Sequence, residues 1–317
     1  IFWFDGSSSR KLDMAEILTE NRTRKINEGE SINFDLMANA ELDLLEKKIA
    51  NKYMNIVPWG VVAWGIGNLA IWLSLWPLVI FGYVPIWLGF LIASINITLC
   101  YLPSHEAQHN IIAGEGEPLR WLNELVGHLS VIPLVTPYRM LKYTHYEHHK
   151  HTNDPELDPD YDVHAKTDWH FLWKSILNRQ PESGRNNAYP ESLQRTGKEK
   201  VIVDGIVFQG IYLATLFSLA WSGFAIEAAL LWWLPKHIGI TYIEYYLSWA
   251  PHHPGKKRGR YHDTRGFKSY VGNLLSLGMQ YHIVHHLYPR IPLSKTPAAY
   301  RELRPILERK GCDLGLL

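Results

Sequence analysis

Apolar residues along this chain are gathered into four long blocks separated by polar segments. Residues 56–76 carry no charged side chain, and residues 78–102 follow, also uncharged. Residues 201–221 contain only Asp204, near their start. Residues 224–250 contain Glu227, Lys236, His237 and Glu244 and are broken by Pro235. About 20 apolar residues at helical rise cross the hydrocarbon core of a bilayer, so the pattern predicts four transmembrane helices. Trp221, Trp232, Trp233, Tyr242, Tyr245, Tyr246 and Trp249 fit interfacial aromatic belts. The competing reading of the last two blocks is a buried helical hairpin of a soluble protein. The expected fold class is all-α: a polytopic membrane protein whose four spans form two hairpins.

The polar segments complete the plan. Residues 1–55 read as an N-terminal arm, with an amphipathic helix over residues 35–52 (Leu36, Leu42, Leu45, Ile49) lying on the membrane surface or on the rest of the protein. Residues 56–317 form the membrane domain. Residues 115–137 are apolar but interrupted, which predicts an interfacial or re-entrant helix pair. Residues 153–162, acidic and punctuated by Pro155 and Pro159, predict a non-helical stop. Residues 178–200 predict a loop or short helices. Lysine and arginine number 8 in residues 1–55, 10 in 139–200 and 12 in 251–317. None lies in the turns at Pro77 or at Ser222-Gly223. The positive-inside rule therefore places the arm, the middle segment and the C-terminal segment in the cytoplasm, as a helical cap. The basic run 256–265 reads as a solvated loop, or as a surface for anionic headgroups or an acidic redox partner. The chain begins at Ile1 rather than Met, so nothing about a leader is read from its start.

Histidine then changes the picture. Eight of the sixteen histidines fall in three short clusters: His105-Glu106-Ala107-Gln108-His109, His145-Tyr146-Glu147-His148-His149 and His282-Ile283-Val284-His285-His286. Spacings of three and four put side chains on one face of a helix. Two copies of His-x-x-His-His are far beyond chance for this composition. One first-row ion rarely takes more than six protein ligands, so eight imidazoles point to two ions. The span plan agrees independently, because an even number of crossings separates the clusters and leaves all three on one side. Net charge is +1, and no basic stripe is interleaved with aromatics, so nucleic acid is not an expected partner. Cys100 and Cys312 alone exclude a disulfide framework and a cysteine-ligated iron–sulfur centre.

Imidazole ligation suits Fe, Zn, Cu or Ni. Two metals close together either activate dioxygen or clamp a hydrolytic transition state. An apolar membrane setting implies an apolar substrate from the bilayer. An unactivated C–H bond offers nothing to a hydrolase but is open to an oxidising metal pair. The rival from another class is a zinc-dependent intramembrane hydrolase using His105-Glu106-x-x-His109, with Glu106 as general base; it leaves two clusters without a role. A metal transporter is disfavoured, because its ligands belong within discontinuous spans.

The box order, with spans between the boxes, resembles the membrane fatty acid desaturase/hydroxylase superfamily over roughly residues 57–310. Finer details are similar to its carotenoid hydroxylase and ketolase branch: Ala250-Pro251-His252-His253-Pro254, the acidic loop behind the second box, Tyr281 through Pro289 running into Ile291-Pro292, and Tyr300-Arg301-Glu302-Leu303-Arg304-Pro305. The resemblance implies a di-iron centre held by His105, His109, His145, His148, His149, His282, His285 and His286. A further ligand follows the last span, with His252 the match and His253 the reserve. It also implies consumption of dioxygen and two electrons, and a hydroxylated or desaturated lipid. A separate ferredoxin or cytochrome-type donor is expected, because no flavin, haem or iron–sulfur motif is present. Glu106 and Glu147 are expected to orient imidazoles, Asp158 to hydrogen-bond the second box, and His151 to sit behind the ligands. Alkane hydroxylases of the superfamily carry a histidine after a Tyr-x-Glu pattern in the fourth span. Here Tyr245 follows Tyr242-Ile243-Glu244, which argues against that branch.

Overall fold

The computed structural model describes residues 37–180 and 185–317. The first 36 residues, including Asp35 and Leu36 of the expected arm helix, and residues 181–184 lie outside the described residues. Among the described residues the chain is helical, and its only β pairing is an isolated bridge between Arg265 and Asp313.

Helix α1 (Asn39–Asn51) packs on the protein itself. Leu42, Ile49 and Ala50 join a core with Ile283, Val284, Leu303 and Ile306. Its buried Glu46 accepts hydrogen bonds from Tyr288 (2.7 Å) and Tyr261 (3.0 Å). The arm helix thus clamps the segment that carries the third histidine cluster.

Helices α2 (Trp59–Ile80) and α3 (Ile86–Leu99) form the first hairpin. The expected break at Pro77 is displaced. Pro77 lies inside α2, and the turn is Phe81 to Pro85. One proline forfeits one ladder bond, whereas Gly82, at φ +77°, supplies the left-handed residue that stops a helix. After Leu99 the chain continues almost unbroken into α4 (Tyr101–Gln108), so the first histidine cluster sits on the end of the spanning helix. In the middle of the hairpin the buried Asn68 donates its Nδ2 to the Asn96 carbonyl, and the buried Asn96 donates its Nδ2 to the Asn68 carbonyl and Oδ1, all at 2.8 Å. In lipid such amides need internal partners.

Residues 115–137 form one helix, α5 (Arg120–Ser130), followed by tight turns, rather than the expected pair. Its buried face (Leu122, Asn123, Val126, Gly127) packs towards α2 and α4. Then come α6 (Tyr138–His151), α7 (Asp168–Leu177) and α8 (Arg185–Arg195). The acidic stop after α6 is present as turns and a short 3₁₀ segment at Tyr161–Val163. Helix α9 (Ile202–Trp221) is the third helix long and apolar enough to cross a membrane, with Glu199–Trp221 counted together. Ile206, Ile211, Phe217 and Trp221 are 67%, 60%, 73% and 95% exposed, a run of bare apolar surface along the helix that suits lipid contact.

The fourth expected span is a helical run from Ala225 to Trp249 with two π-helical turns, Ala229–Trp233 and Glu244–Trp249. It is not among the three helices of spanning length and composition. Its middle stretch packs closely on α3, where a Cβ on Gly239 would lie 3.2 Å from the Thr98 backbone nitrogen. Trp72 and Trp232 meet edge-on at 5.1 Å, and both indoles donate to carbonyls, of Leu231 (3.1 Å) and Pro133 (2.9 Å). The second π turn ends beside Pro251 and His252. Two short helices, Gly272–Leu275 and α10 (His282–Leu287), and the C-terminal α11 (Thr296–Arg309) close the fold.

Gly127 has no room for a side chain. A Cβ there would lie 2.5 Å from the Tyr138 ring, whose hydroxyl donates to Ala107 O at 3.0 Å, beside the first cluster. Gly127→Ala is therefore expected to lower stability by about 1–3 kcal/mol. A thermal melt of the variant in detergent with an unchanged midpoint would contradict this packing.

Candidate metal centre

Helical periodicity does the local work. His105 lies within α4, and His109, one turn on, is its C-cap. His145, His148 and His149 share one face of α6, and His282, His285 and His286 share one face of α10. The three helices bring these faces together, and the result is two groups that cut across the boxes. His105, His109, His145 and His285 form one; His148, His252, His282 and His286 form the other. In each group the ligand atoms lie within 4.8 Å of one another. His149 lies between them, with its Nε2 3.1 Å from that of His145 and its ring stacked on His286 at 4.1 Å.

The nitrogen geometry fits cations rather than a hydrogen-bond network. His145 Nε2 faces three other Nε2 atoms, of His109 (2.9 Å), His105 (3.0 Å) and His149 (3.1 Å). A neutral imidazole nitrogen carries one proton or one lone pair and serves one such neighbour. Ligands at about 2.1 Å from one ion stand about 3.0–3.4 Å apart, which is the spacing seen. In the second group His252 Nε2 is 3.3 Å from that of His148 and 3.2 Å from that of His282. Both ring nitrogens of the buried His285, and Nε2 of His286, have no hydrogen-bond partner among the described residues. Buried polar atoms left this way cost about 1–3 kcal/mol each, and a metal ion removes that cost. The donor set therefore fits two metal ions.

Outer hydrogen bonds aim the second group. His148 Nδ1 donates to Asp158 Oδ1 at 2.9 Å, and His252 Nδ1 to the Asp263 carbonyl at 3.2 Å. His282 Nδ1 donates to Met279 Sδ at 3.0 Å. With the Nδ1 protons committed, the Nε2 atoms point at the centre and are the ones left to bind metal. Asp158 is itself held by the Asn153 and Asp160 amides, both at 2.9 Å. Burial disfavours a charged His148, but the Asp158 carboxylate outweighs it and lifts the ring's pKa to about 9. Burial also works against the Asp158 carboxylate; the His148 charge prevails and holds its pKa below the ordinary value. For His145, His149, His252, His282, His285 and His286, burial first and neighbouring imidazoles second push the pKa well below the usual range. These rings are neutral at pH 7, the form that binds metal.

Other expected residues fall elsewhere. Glu106 is fully buried, but its Oε1 accepts the Leu293 amide at 2.7 Å, and no histidine bonds it among the described contacts. It braces the chain after the third cluster instead of orienting an imidazole. Glu147 turns outward to Arg195 (3.4 Å), Lys150 (3.9 Å) and His151 (3.7 Å). His151 sits two residues beyond the second box, off its face, and touches that carboxylate. His253 lies against Trp249, ring centroids 4.9 Å apart, and joins neither group. Sequence reasoning missed the Met279 contact and the Asp263 carbonyl, because neither residue type signals an imidazole partner. The zinc-hydrolase arrangement is not favoured: His105 and His109 share their centre with His145 and His285, and Glu106 is tied to an amide.

A cavity of about 710 Å³ reaches the centre, with His145, His148 and His282 in its wall. Met140, Leu141, Leu213, Leu216, Ile243 and Leu247 supply apolar lining from α6, α9 and the last helical run. The Arg179–Glu244 pair (3.1 Å), Lys236 and His237 add polar groups.

Fold and site together define an all-helical protein with helices of membrane-crossing length and two adjoining imidazole sites. The fatty acid desaturase family model matches residues 76–313, and the chain belongs to that family. It is 25% identical over 253 residues to a Delta(9) fatty acid conjugase-like enzyme of Dimorphotheca sinuata, covering 65% of each protein. It is 32% identical over 88 residues to an sn-1 oleoyl-lipid 12-desaturase of Anabaena variabilis, covering 28% of this chain and 23% of that protein. To the chloroplastic sn-2 acyl-lipid omega-3 desaturase (ferredoxin) of Helianthus annuus it is 22% identical over 242 residues, covering 65% and 53%. These matches span 65% or less of the relatives' own lengths.

Asp158→Asn removes the acceptor that fixes His148. Metal retention at the second group is expected to weaken about 10–100-fold, read by competition with a calibrated chelator. Retention equal to wild type would show that Asp158 does not hold that ring.

Proposed function

We propose that this chain is an oxygen-dependent di-iron oxidoreductase that desaturates acyl chains of membrane lipids. The observation that carries the reading is the pair of histidine groups opening on one apolar cavity beside helices of spanning length. The names of the similar desaturases and conjugases favour an acyl substrate. His105, His109, His145 and His285, with His149 beside them, would hold one iron. His148, His252, His282 and His286 would hold the other. The iron pair, when bound, supplies the oxidising power that takes hydrogen from an unactivated C–H bond.

The protein's own part is to position and exclude. The apolar wall binds a methylene chain by burying it, worth about 0.8 kcal/mol per CH₂, and keeps water from the reacting carbons. His145, His148 and His282, exposed to the cavity, set which carbons come within reach. Asp158 and Asp263 hold ring orientation through the Nδ1 protons. In the overall balance two hydrogens leave the chain as a C=C bond forms. Dioxygen takes those, two further electrons and two protons to become two waters. The two electrons come from a separate carrier, a ferredoxin by analogy with the relatives named for it. In this reading the Ala225–Trp249 run is a fourth crossing, and the histidine groups face the cytoplasm with the lysine- and arginine-rich segments.

Expression in a host of defined lipid composition, followed by mass spectrometry of the extract, tests this. An acyl product lighter by about two mass units is expected, and none from His148→Ala. A gain of about sixteen units on a carotenoid would instead support the ring hydroxylation that the Ala250–Pro254 and Tyr281–Pro289 segments bring to mind. Undiminished product from His148→Ala would overturn the di-iron reading.

A further inference from the structure

We infer that the basic-rimmed cleft over His149 and His286 is the docking and electron-entry face for a small, acidic, one-electron carrier protein. The inference rests on the reading that the two histidine groups hold redox metal.

Of the nine clustered histidines, all but His149 and His286 are buried. Both of these line the same polar cleft of about 500 Å³, which shares no lining residue with the apolar cavity. They stack at 4.1 Å with their planes 18° apart. His149 leans on His145 of the first group, and His286 belongs to the second. The stacked pair is therefore the point where both groups come nearest to solvent, and an electron delivered there has a short path to either.

The rim has the charge such a partner needs. Lys150, Arg258 and Arg260 line the cleft together with Asp154 and Asp263, and exposed Lys256 and Lys257 lie just before it on the same loop. Arg258 pairs with Asp154 at 2.8 Å, Arg260 with Glu46 at 3.5 Å and Lys150 with Glu147 at 3.9 Å, whereas Lys256 and Lys257 have no ion pair among the described residues and carry the uncompensated charge. The rim also lacks what a membrane surface would need. No large exposed apolar side chain lies between Leu125 and Trp169 or between Ile238 and Tyr270. Elsewhere Trp169 (81% exposed), Trp173 and Leu274 offer apolar surface to a leaflet. Complementary charge without apolar anchors fits a water-soluble acidic protein that must bind and leave quickly. Each docking passes one electron, oxidising the carrier by one unit, so two dockings supply one turnover.

The test uses the metal-loaded protein in detergent and a plant-type [2Fe–2S] ferredoxin. Surface plasmon resonance is expected to give an affinity that falls as salt rises from about 0.05 to 0.3 M. Lys256→Glu combined with Lys257→Glu touches no ion pair; it and Lys150→Glu are each expected to weaken binding about tenfold or more. Lipid turnover driven by ferredoxin should fall in step, while turnover driven by dithionite and methyl viologen stays at the wild-type rate. Wild-type affinity for ferredoxin in both variants overturns the proposal. So does loss of binding confined to phosphatidylglycerol vesicles, which would make the loop a headgroup surface. The affinity measurement needs no catalysis, so a protein inactive on lipid with every reductant would count against the proposed function and leave the docking result readable.

Discussion

The structure depends on nine imidazoles crowded so that their nitrogens face one another. Without a cation that arrangement is unfavourable: lone pairs oppose lone pairs, and among the described residues His285 has no partner for either ring nitrogen. Burial pushes most of these rings to the neutral form that a metal takes, and His148, raised to about 9 by Asp158, gives up its Nε2 proton when a metal binds. Most of the cap can be understood as scaffolding for this cluster. Glu46 of the arm helix fixes Tyr288, two residues past the third box. Glu106 fixes Leu293, a little further on. Asp158 fixes His148. Metal binding is thereby coupled to folding of segments far apart in sequence, and stripping the metal is expected to loosen them together.

The membrane part serves the same centre from the other side. The second spanning helix runs into α4, so the first cluster is delivered at the end of a rigid rod. The last helical run, after its second π turn, delivers His252. Between α6, α9 and that run lies the apolar cavity. Trp169, Trp173, Leu274 and Leu275 are exposed on short helices that flank the run, tied to it through Tyr245 on Asp168 and Tyr242 on the Leu275 carbonyl (2.6 Å). The site thus opens on a mainly apolar cavity and on a charged cleft.

Much of this was legible in the residues. Spacings of three and four announce one helical face, and uncharged blocks announce spanning helices, because both patterns follow from local periodicity. His252 was reachable only through its resemblance to a family motif, since a lone histidine after a span has no spacing to read. The partition of the histidines was not legible. Each box is local, but which nitrogen of one box meets which of another depends on how three helices cross. Pro77 misled because proline is a stronger signal in a string of letters than in a helix held by neighbours; Gly82, with its positive φ, was the true stop. Glu106 misled for a related reason: a carboxylate between two ligands invites an imidazole partner, while the fold spends it on a backbone amide.

The central claim is that these residues cage two ions and that the ions are iron. Anomalous X-ray scattering at the iron edge from crystals of the metal-loaded protein tests it most directly. Two peaks are expected, one among His105, His109, His145 and His285 and one among His148, His252, His282 and His286. A single zinc signal between His105 and His109, with the other six histidines empty, would contradict it.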